Sequence, residues 1–381
     1  MGSTWGAFRV AAWVFAVVPL FAGLARAQGV TVSEIVIGQT SSFSGPLAGE
    51  VKEQTAGARL YIDWVNAHGG VHGRKIRLES MDDAFDAKRA AQNARALIDK
   101  GVFALFLTRG TPQNEAILPV LKETGTPLIA PSTGAIVLHK PVNPLVFNVR
   151  SRYQDEAEQA ISQLTSEGVT RIAIVHVNDS FGKDGLAGYM EGLKRAHLEP
   201  VGVFSYDRAK GDTNEAAAKV IALNPQAVVT AGHSKPLANL VRKVRGAGLY
   251  GVQIVTLSNL SSQSFLNDLG DVKHGVIVMQ VFPNPARMTT KLGVEIHHLA
   301  AEKEGFVLSH MAMEGFAAAK VLVEGLQRAG RTPTRASFIA AMESLRDYDL
   351  GGIKLSYAPS SHSGLEYVEA SIVNKKGTFT Q

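Results

Sequence analysis

Short runs of consecutive apolar residues alternate along this chain with longer segments in which apolar positions recur every three or four residues. The first pattern predicts buried β-strands and the second amphipathic helices. Residues 34–38 then form a strand. Residues 48–68 form a helix through Ala56, Leu60, Ile62, Trp64 and Val65, stopped by Gly69-Gly70, and 75–81 form a second strand. Asp86 is placed to cap a helix running to residue 99. A strand at 102–107, a helix at 112–124 with proline in its first turn, and a strand at 127–130 follow. Beyond Pro141 a second series starts. It has helices at 153–167, 186–197, 213–222 and 236–247, with strands at 171–177, 200–206, 227–231 and 252–257. The last third reads as a strand at 277–282, helices at 287–304, 309–329 and 335–344, and strands at 353–357 and 367–373.

Strands alternating with helices of this length imply parallel sheets wound by right-handed crossovers, hence an α/β fold. Two such series imply two lobes of one class. In open α/β sheets ligands bind outside the carboxyl ends of the strands, and residues 105–135 offer two such ends in succession. One carries Thr108, Arg109, Gly110 and Thr111, the other Ser132, Thr133 and Gly134. Short hydroxyls and free backbone N–H groups together hold an anion such as a carboxylate. Each loop alone would pass as helix capping and a turn; two in a row favour binding. Arg109 either meets a carboxylate or points to solvent, and solvent is the simpler reading of a lone cation among small residues. His233 follows a strand ending in Thr230-Ala231-Gly232, where a ligand contact and a plain loop role stand equal. Tyr153 and Phe181 are pocket walls or ordinary core. The pair Asp82-Asp83 reads as a solvated strand end. Glu295, His298 and Glu302 share one helix face, but no second ligand-bearing helix is evident, so neither a metal nor a cofactor is expected.

Composition narrows the class. The chain has 381 residues and a formal net charge of +5, but its basic residues are scattered. Arg242, Lys243 and Arg245 read as the solvated face of a helix, not a nucleic-acid surface. At the N-terminus Arg9 precedes an apolar run and the small-x-small triplet Ala25-Arg26-Ala27, the pattern of a cleaved signal peptide over residues 1–27. The run is shorter than the roughly 20 residues a membrane helix needs, and Pro19 interrupts it. No cysteine occurs, so disulfides, thiolate chemistry and acylated-cysteine anchors are excluded. An exported, disulfide-free protein of this size suits a bacterial periplasm. Nucleophile elbows, phosphate loops and zinc-protease helices are missing from the sequence, and no Gly-x-Gly-x-x-Gly fingerprint follows the first strand.

A resemblance becomes visible in Ile35-Val-Ile-Gly38, Phe43-Ser-Gly-Pro46, Ile62-Asp-Trp-Val-Asn-Ala-His-Gly-Gly70 and Gly110-Thr-Pro-Gln113. It continues in Pro127-Leu-Ile-Ala-Pro-Ser-Thr-Gly-Ala135, Phe147-Asn-Val-Arg150, Phe181-Gly182 and the closing Val373-Asn-Lys-Lys-Gly-Thr-Phe379. In order and spacing the chain resembles the periplasmic substrate-binding proteins of branched-chain amino acid (Leu/Ile/Val-type) ABC transporters. The resemblance implies a type I periplasmic binding protein fold, two Rossmann-like lobes joined by a three-segment hinge, with the ligand between closing lobes. It implies lobe 1 as residues 30–149 plus 276–362, and lobe 2 as 150–275 plus 363–381.

The resemblance further implies that Thr111, Ser132 and the pair Thr133-Gly134 grip a ligand carboxylate. Gly134 stands where the family has a threonine, and Thr133 is the adjacent hydroxyl able to replace it. Ser44, Arg109, Tyr153, Phe181, His233 and Asn259 complete the expected ligand-binding set; Phe181 takes the place of an aromatic hydroxyl. The amino acid binders hold the ammonium with an acid near the loop after Val255, yet here that loop reads Thr256-Leu-Ser-Asn-Leu-Ser-Ser-Gln263. A buried ammonium without a counter-charge costs several kcal/mol. The expected ligand is therefore a small carboxylate, more readily an amine-free aromatic or aliphatic one than an α-amino acid. The expected role is an exported, non-enzymatic monomer that delivers its ligand to an ABC permease in the inner membrane, the alternative being a ligand-sensing component of a signalling system.

Overall fold

The computed structural model describes residues 1–3 and 28–380; residues 4–27 of the expected signal peptide lie outside the described residues. The first α/β series runs β1 (Glu34–Ser41), α1 (Ala48–Ala67), β2 (Lys75–Asp82), α2 (Ala87–Asp99), β3 (Ala104–Phe106), α3 (Thr111–Thr124), β4 (Leu128–Ile129) and β5 (Val146–Phe147). The second runs α4 (Tyr153–Ser166), β6 (Ile172–Val177), α5 (Ser180–Arg195), β7 (Gly202–Tyr206), α6 (Asn214–Leu223), β8 (Ala227–Ala231), α7 (Ser234–Gly246), β9 (Gln253–Thr256), α8 (Gln263–Leu269) and β10 (Val276–Gln280). Then come α9 (Lys291–Ala301), α10 (His310–Arg328), α11 (Arg335–Glu343), the small hairpin β11 (Tyr348–Asp349) and β12 (Lys354–Leu355), and finally β13 (Glu369–Val373) and β14 (Phe379–Thr380).

Two main sheets result. The first is parallel and ordered β2-β1-β3-β4-β5. The second is ordered β14-β13-β10-β9-β8-β6-β7, parallel from β7 to β10, with β13 and β14 added antiparallel at its edge. The parallel part of the second sheet repeats the strand order of the first, so the two halves are the same topology used twice. Strand β10 carries a correction. It pairs with β9 and β13, and Val276, Ile277, Val278 and Met279 lie in the second lobe's core. Val281 and Phe282 lie in the first lobe's core, so the chain crosses after Gln280 and not before Val276. The return also comes later than residue 362, since Leu365 still packs in the first lobe. A long apolar run shows a strand, but not which sheet it joins.

Segments around residues 148–151 and 362–367 cross side by side. Asn148 N donates to His362 O at 2.9 Å, Leu365 N to Val149 O at 2.9 Å, and the Ser151 hydroxyl to Tyr367 O at 2.8 Å. In the first lobe α1 and α10 touch backbone to backbone. A Cβ on Gly57 would lie 1.9 Å from Ala312 O, and one on Gly315 1.9 Å from Gln54 O. That approach sets Gln54 and Glu314 side by side beneath the cleft.

Local signals explain most helix starts. Asp86 caps α2 by accepting from Arg89 N, and Asp179 caps α5 by accepting from Gly182 N. The second cap moves the start of α5 to Ser180, so Phe181 lies in its first turn and not in a loop before residue 186.

Candidate functional site

Strands β3 and β4 end on the same rung, and the residue after each turns left-handed: Leu107 at φ 54° and Ala130 at φ 52°. Such values are uncommon for residues with a Cβ and mark backbone held by its surroundings. The two turns run alongside each other, with Ser132 N donating to Thr108 O at 2.7 Å, and carry Arg109–Thr111 and Ser132–Thr133 out over the sheet edge. The loops after β6, β8 and β9 do the same from the second lobe, bringing Asp179, His233 and Asn259. Between them lies a cavity of about 320 Å³. Leu47, Phe85, Arg109, Gly110, Thr111, Pro112, Ser132, Tyr153, Asp179, Phe181, His233 and Asn259 line it. The lobes are nearly shut.

Arg109 dominates the first-lobe wall. It is 3% exposed, against the expectation of a solvated side chain. Its Nη1 donates to Ser132 Oγ at 3.1 Å, and its Nη2 crosses the cleft to the carbonyl of Asn259 at 2.9 Å. No carboxylate among the described residues forms an ion pair with it. The buried Glu50 feels its field, but burial raises the Glu50 carboxyl above the ordinary range. Ser132 is held from behind, accepting from Gln54 Nε2 at 2.6 Å and donating to Glu314 Oε1 at 3.0 Å. Thr111 and Thr133 share a hydroxyl–hydroxyl bond of 2.7 Å.

The network continues under the hinge. Glu314 lies 3.7 Å from Arg150, whose Nη2 donates to Glu156 Oε1 at 2.6 Å. Glu156 also accepts from Ser258 N at 2.7 Å and Ser258 Oγ at 2.9 Å. The Arg150 guanidinium sits 4.6 Å from the centre of the Tyr153 ring. One guanidinium thus serves two carboxyls, of which burial raises Glu156 to about 7; none of the three lines the cavity. Sequence reading missed them, because Glu314 is far along the chain from Arg150 and Glu156 and nothing local marks the three as partners.

The second-lobe wall is aromatic with acceptors set into it. Tyr153 meets Phe181 edge to face at 4.9 Å, and His233 stacks on Phe181 at 5.7 Å while meeting Phe85 edge-on at 5.2 Å. Asp179 spends one oxygen on its cap; the other, Oδ2, accepts no hydrogen bond and lies 3.4 Å from Arg208 and 4.0 Å from His233 Nε2. His233 is pushed down to about 3 by burial, then by Arg208 and Arg109, so it is neutral. Asn259 donates to Gly232 O at 2.9 Å and leaves its Oδ1 free of partners.

Of the residues singled out from sequence, Arg109, Thr111, Ser132, Tyr153, Phe181, His233 and Asn259 meet around this one cavity. Thr133 stands one layer behind. Gly134 also stands behind, accepting from Tyr153 N at 2.9 Å, and a Cβ there would come within 2.7 Å of that nitrogen. Ser44 does not join them. It lies exposed and bonded to Asp82. Asp83, expected in solvent, is fully buried, accepting from Ser42 Oγ at 2.8 Å and Phe85 N at 2.9 Å. Leu47, Phe85 and Asp179 were missed. Asp179 had a signal, the capping pattern Asp-x-x-Gly at a strand end. Glu295 pairs with Lys320, while His298 and Glu302 are exposed.

Several contacts exist only because the lobes are together. Arg208 lies 3.7 Å above the Phe85 ring and donates to Phe85 O at 3.0 Å. Ser180 Oγ donates to Glu115 at 2.6 Å. Glu53 on α1 accepts from Gln263 N and Ser264 N of α8, each at 2.9 Å.

Comparison with known proteins agrees with this architecture. The sequence profile of the periplasmic binding protein family matches residues 34–377. The Leu/Ile/Val-binding protein of Escherichia coli (strain K12) is 25% identical over 252 residues, 64% of this chain and 67% of that one. The crystal structure of a substrate-binding periplasmic protein from Ralstonia solanacearum superposes with a TM-score of 0.85 at 34% identity, covering 91% of this chain and 100% of that one. A fatty acid ABC transporter substrate-binding protein from Thermomonospora curvata shares the fold at a TM-score of 0.84 and 18% identity, covering 93% of each chain.

Proposed function

The chain belongs to the periplasmic binding protein family, and from that premise we propose that it captures a small amine-free carboxylate and presents it to an ABC permease in the inner membrane. The family is one of non-enzymatic binding proteins, and the proposed cycle needs no covalent step. Ligand contacts to both lobes favour the closed state over the open one. Export to the periplasm follows the family and the signal-peptide pattern of residues 1–27.

The observation that carries the ligand class is Arg109, a buried guanidinium on the cavity wall without a carboxylate partner. An incoming carboxylate supplies its counter-charge, with the Ser132 and Thr111 hydroxyls beside it. An acid does line the cavity, Asp179, but it comes from the loop after β6, and Arg208 lies 3.4 Å from it. An ammonium there would face two guanidinium groups and one carboxylate. Relatives' names do not decide the point, since an amino acid binder and a fatty acid binder both share this fold.

The test is calorimetry and thermal shift on ligand-stripped protein, with amino acids, their deaminated acids and aromatic carboxylates. A ligand at about 100 times its dissociation constant adds roughly 2.7 kcal/mol of stability. Deaminated or aromatic acids should bind, and Arg109→Gln should weaken them by about 30- to 100-fold, the loss of one charge-assisted pair. Micromolar binding of leucine or valine would overturn the amine-free reading.

A further inference from the structure

Resting on the carboxylate reading above, we infer that the captured acid also carries a hydroxyl, which enters the gap between Asp179 Oδ2 and His233 Nε2. Both atoms are buried, both residues line the cavity, neither atom makes a hydrogen bond, and they stand 4.0 Å apart. That is too far for a bond between them and right for one atom between them. An oxygen about 2.7–2.9 Å from each subtends an angle of roughly 90°, within reach of one donated and one accepted bond. A hydroxyl can do both. It donates its proton to the Asp179 carboxylate, and its lone pair accepts from His233 when Nε2 carries the imidazole proton. Asn259 Oδ1, 6% exposed by residue and also without a partner, adds a second acceptor on the same side of the cleft.

The neutral group is chosen by the surrounding charge. Two acceptors would also suit an ammonium, but Arg208 lies 3.4 Å from the same carboxylate, and Arg109 closes the opposite wall. The field of these guanidiniums, added to burial, keeps His233 uncharged, and it would oppose any cation placed beside that ring. Buried polar atoms left unpaired are costly, so a site built to bond a hydroxyl discriminates strongly against an analogue that lacks one. The walls of Phe85, Tyr153 and Phe181 accept a flat or branched apolar skeleton between the carboxylate and the hydroxyl.

The experiment is calorimetric titration of ligand-stripped full-length mature protein with matched probes. Each of three skeletons (4-methylpentanoate, phenylacetate and 3-phenylpropionate) is supplied as the parent acid, its hydroxylated forms and its aminated forms. On the skeleton that binds best, a hydroxy acid should bind at least tenfold more tightly than its parent. In Asp179→Asn, which keeps a side-chain oxygen for the α5 cap, that ratio should fall below threefold. A cooperative melting curve checks that the variant is folded. A wild-type ratio below threefold overturns the inference while leaving the carboxylate reading intact, and so does an aminated probe that binds tightest. If no carboxylate binds at all, the role given to Arg109 fails and this inference fails with it.

Discussion

The bond between Glu53 and the start of α8 offers a way to change affinity without touching the cavity. Glu53 is on α1 in the first lobe, and its two carboxylate oxygens accept from Gln263 N and Ser264 N in the second, each at 2.9 Å. Neither Glu53 nor α8 lines the cavity. These bonds bridge the two lobes, so parting the lobes at this point would break them. A hydrogen bond to a charged group contributes about 1.5–3 kcal/mol when well shielded. The pair is partly buried, so removing both by Glu53→Ala should cost the closed state about 2 kcal/mol. If the free protein is mainly open, that cost appears in full as lost affinity, about 30-fold. A steric variant approaches the same contact from the other side. A Cβ on Gly49 would lie 2.1 Å from Ser264 Oγ and 2.6 Å from Ser264 Cβ, so Gly49→Ala should hold the lobes apart at this point. Adding Ser264→Gly removes the clash and should restore binding. Calorimetry reads affinity, and small-angle scattering with and without ligand reads closure. Unchanged affinity in both Glu53→Ala and Gly49→Ala would refute the reasoning, because it would mean that the ligand-bound state does not bring α1 and α8 together.

Two further outcomes follow from the buried charges. Arg150→Met should destabilise the fold by about 3–5 kcal/mol in urea unfolding, because it leaves Glu156 and Glu314 buried without their cation. A loss below 1 kcal/mol would show that the two glutamates are neutral or hydrated. Acid should weaken the protein through its buried histidines. His139, His233 and His310 are each held by burial near 3, against 6.5 when unfolded. Between these values the unfolded chain binds more protons at these histidines, so their contribution to stability is full above about pH 6.5 and declines as pH falls toward 3. Each histidine adds a slope of up to about 1.4 kcal/mol per pH unit. His310→Phe should flatten the pH dependence of the urea midpoint between pH 4 and 6; an unchanged slope would place the effect elsewhere.

The alternation of strand and helix was written in apolar spacing and needed no tertiary information. So were the Asp86 cap, the turn residues after β3 and β4, and the order of motifs that marks the family. These depend on a few consecutive residues, where backbone sterics and side-chain periodicity act directly. Exposure and partnership do not have that locality. Arg109 reads as a loop cation until α10 and the loop after β9 are seen to close over it, and Asp83 reads as a strand end until Thr40, Ser42 and Phe85 surround it. The sheet that receives β10 is settled by pairing with β9 and β13, the latter about a hundred residues further on.

The same division applies to the cavity. The sequence by itself determined which chemical groups stand at the carboxyl ends of the strands: hydroxyls and a guanidinium in the first lobe, aromatic rings and a histidine in the second. Only the tertiary structure decided which of them share one space, that Asp179 joins them while Ser44 does not, and that Arg150, Glu156 and Glu314 meet beneath them. The physical reason is that hydrogen bonds and charge compensation act over a few ångströms in space. Folding brings together at that range groups that the chain separates by up to two hundred residues.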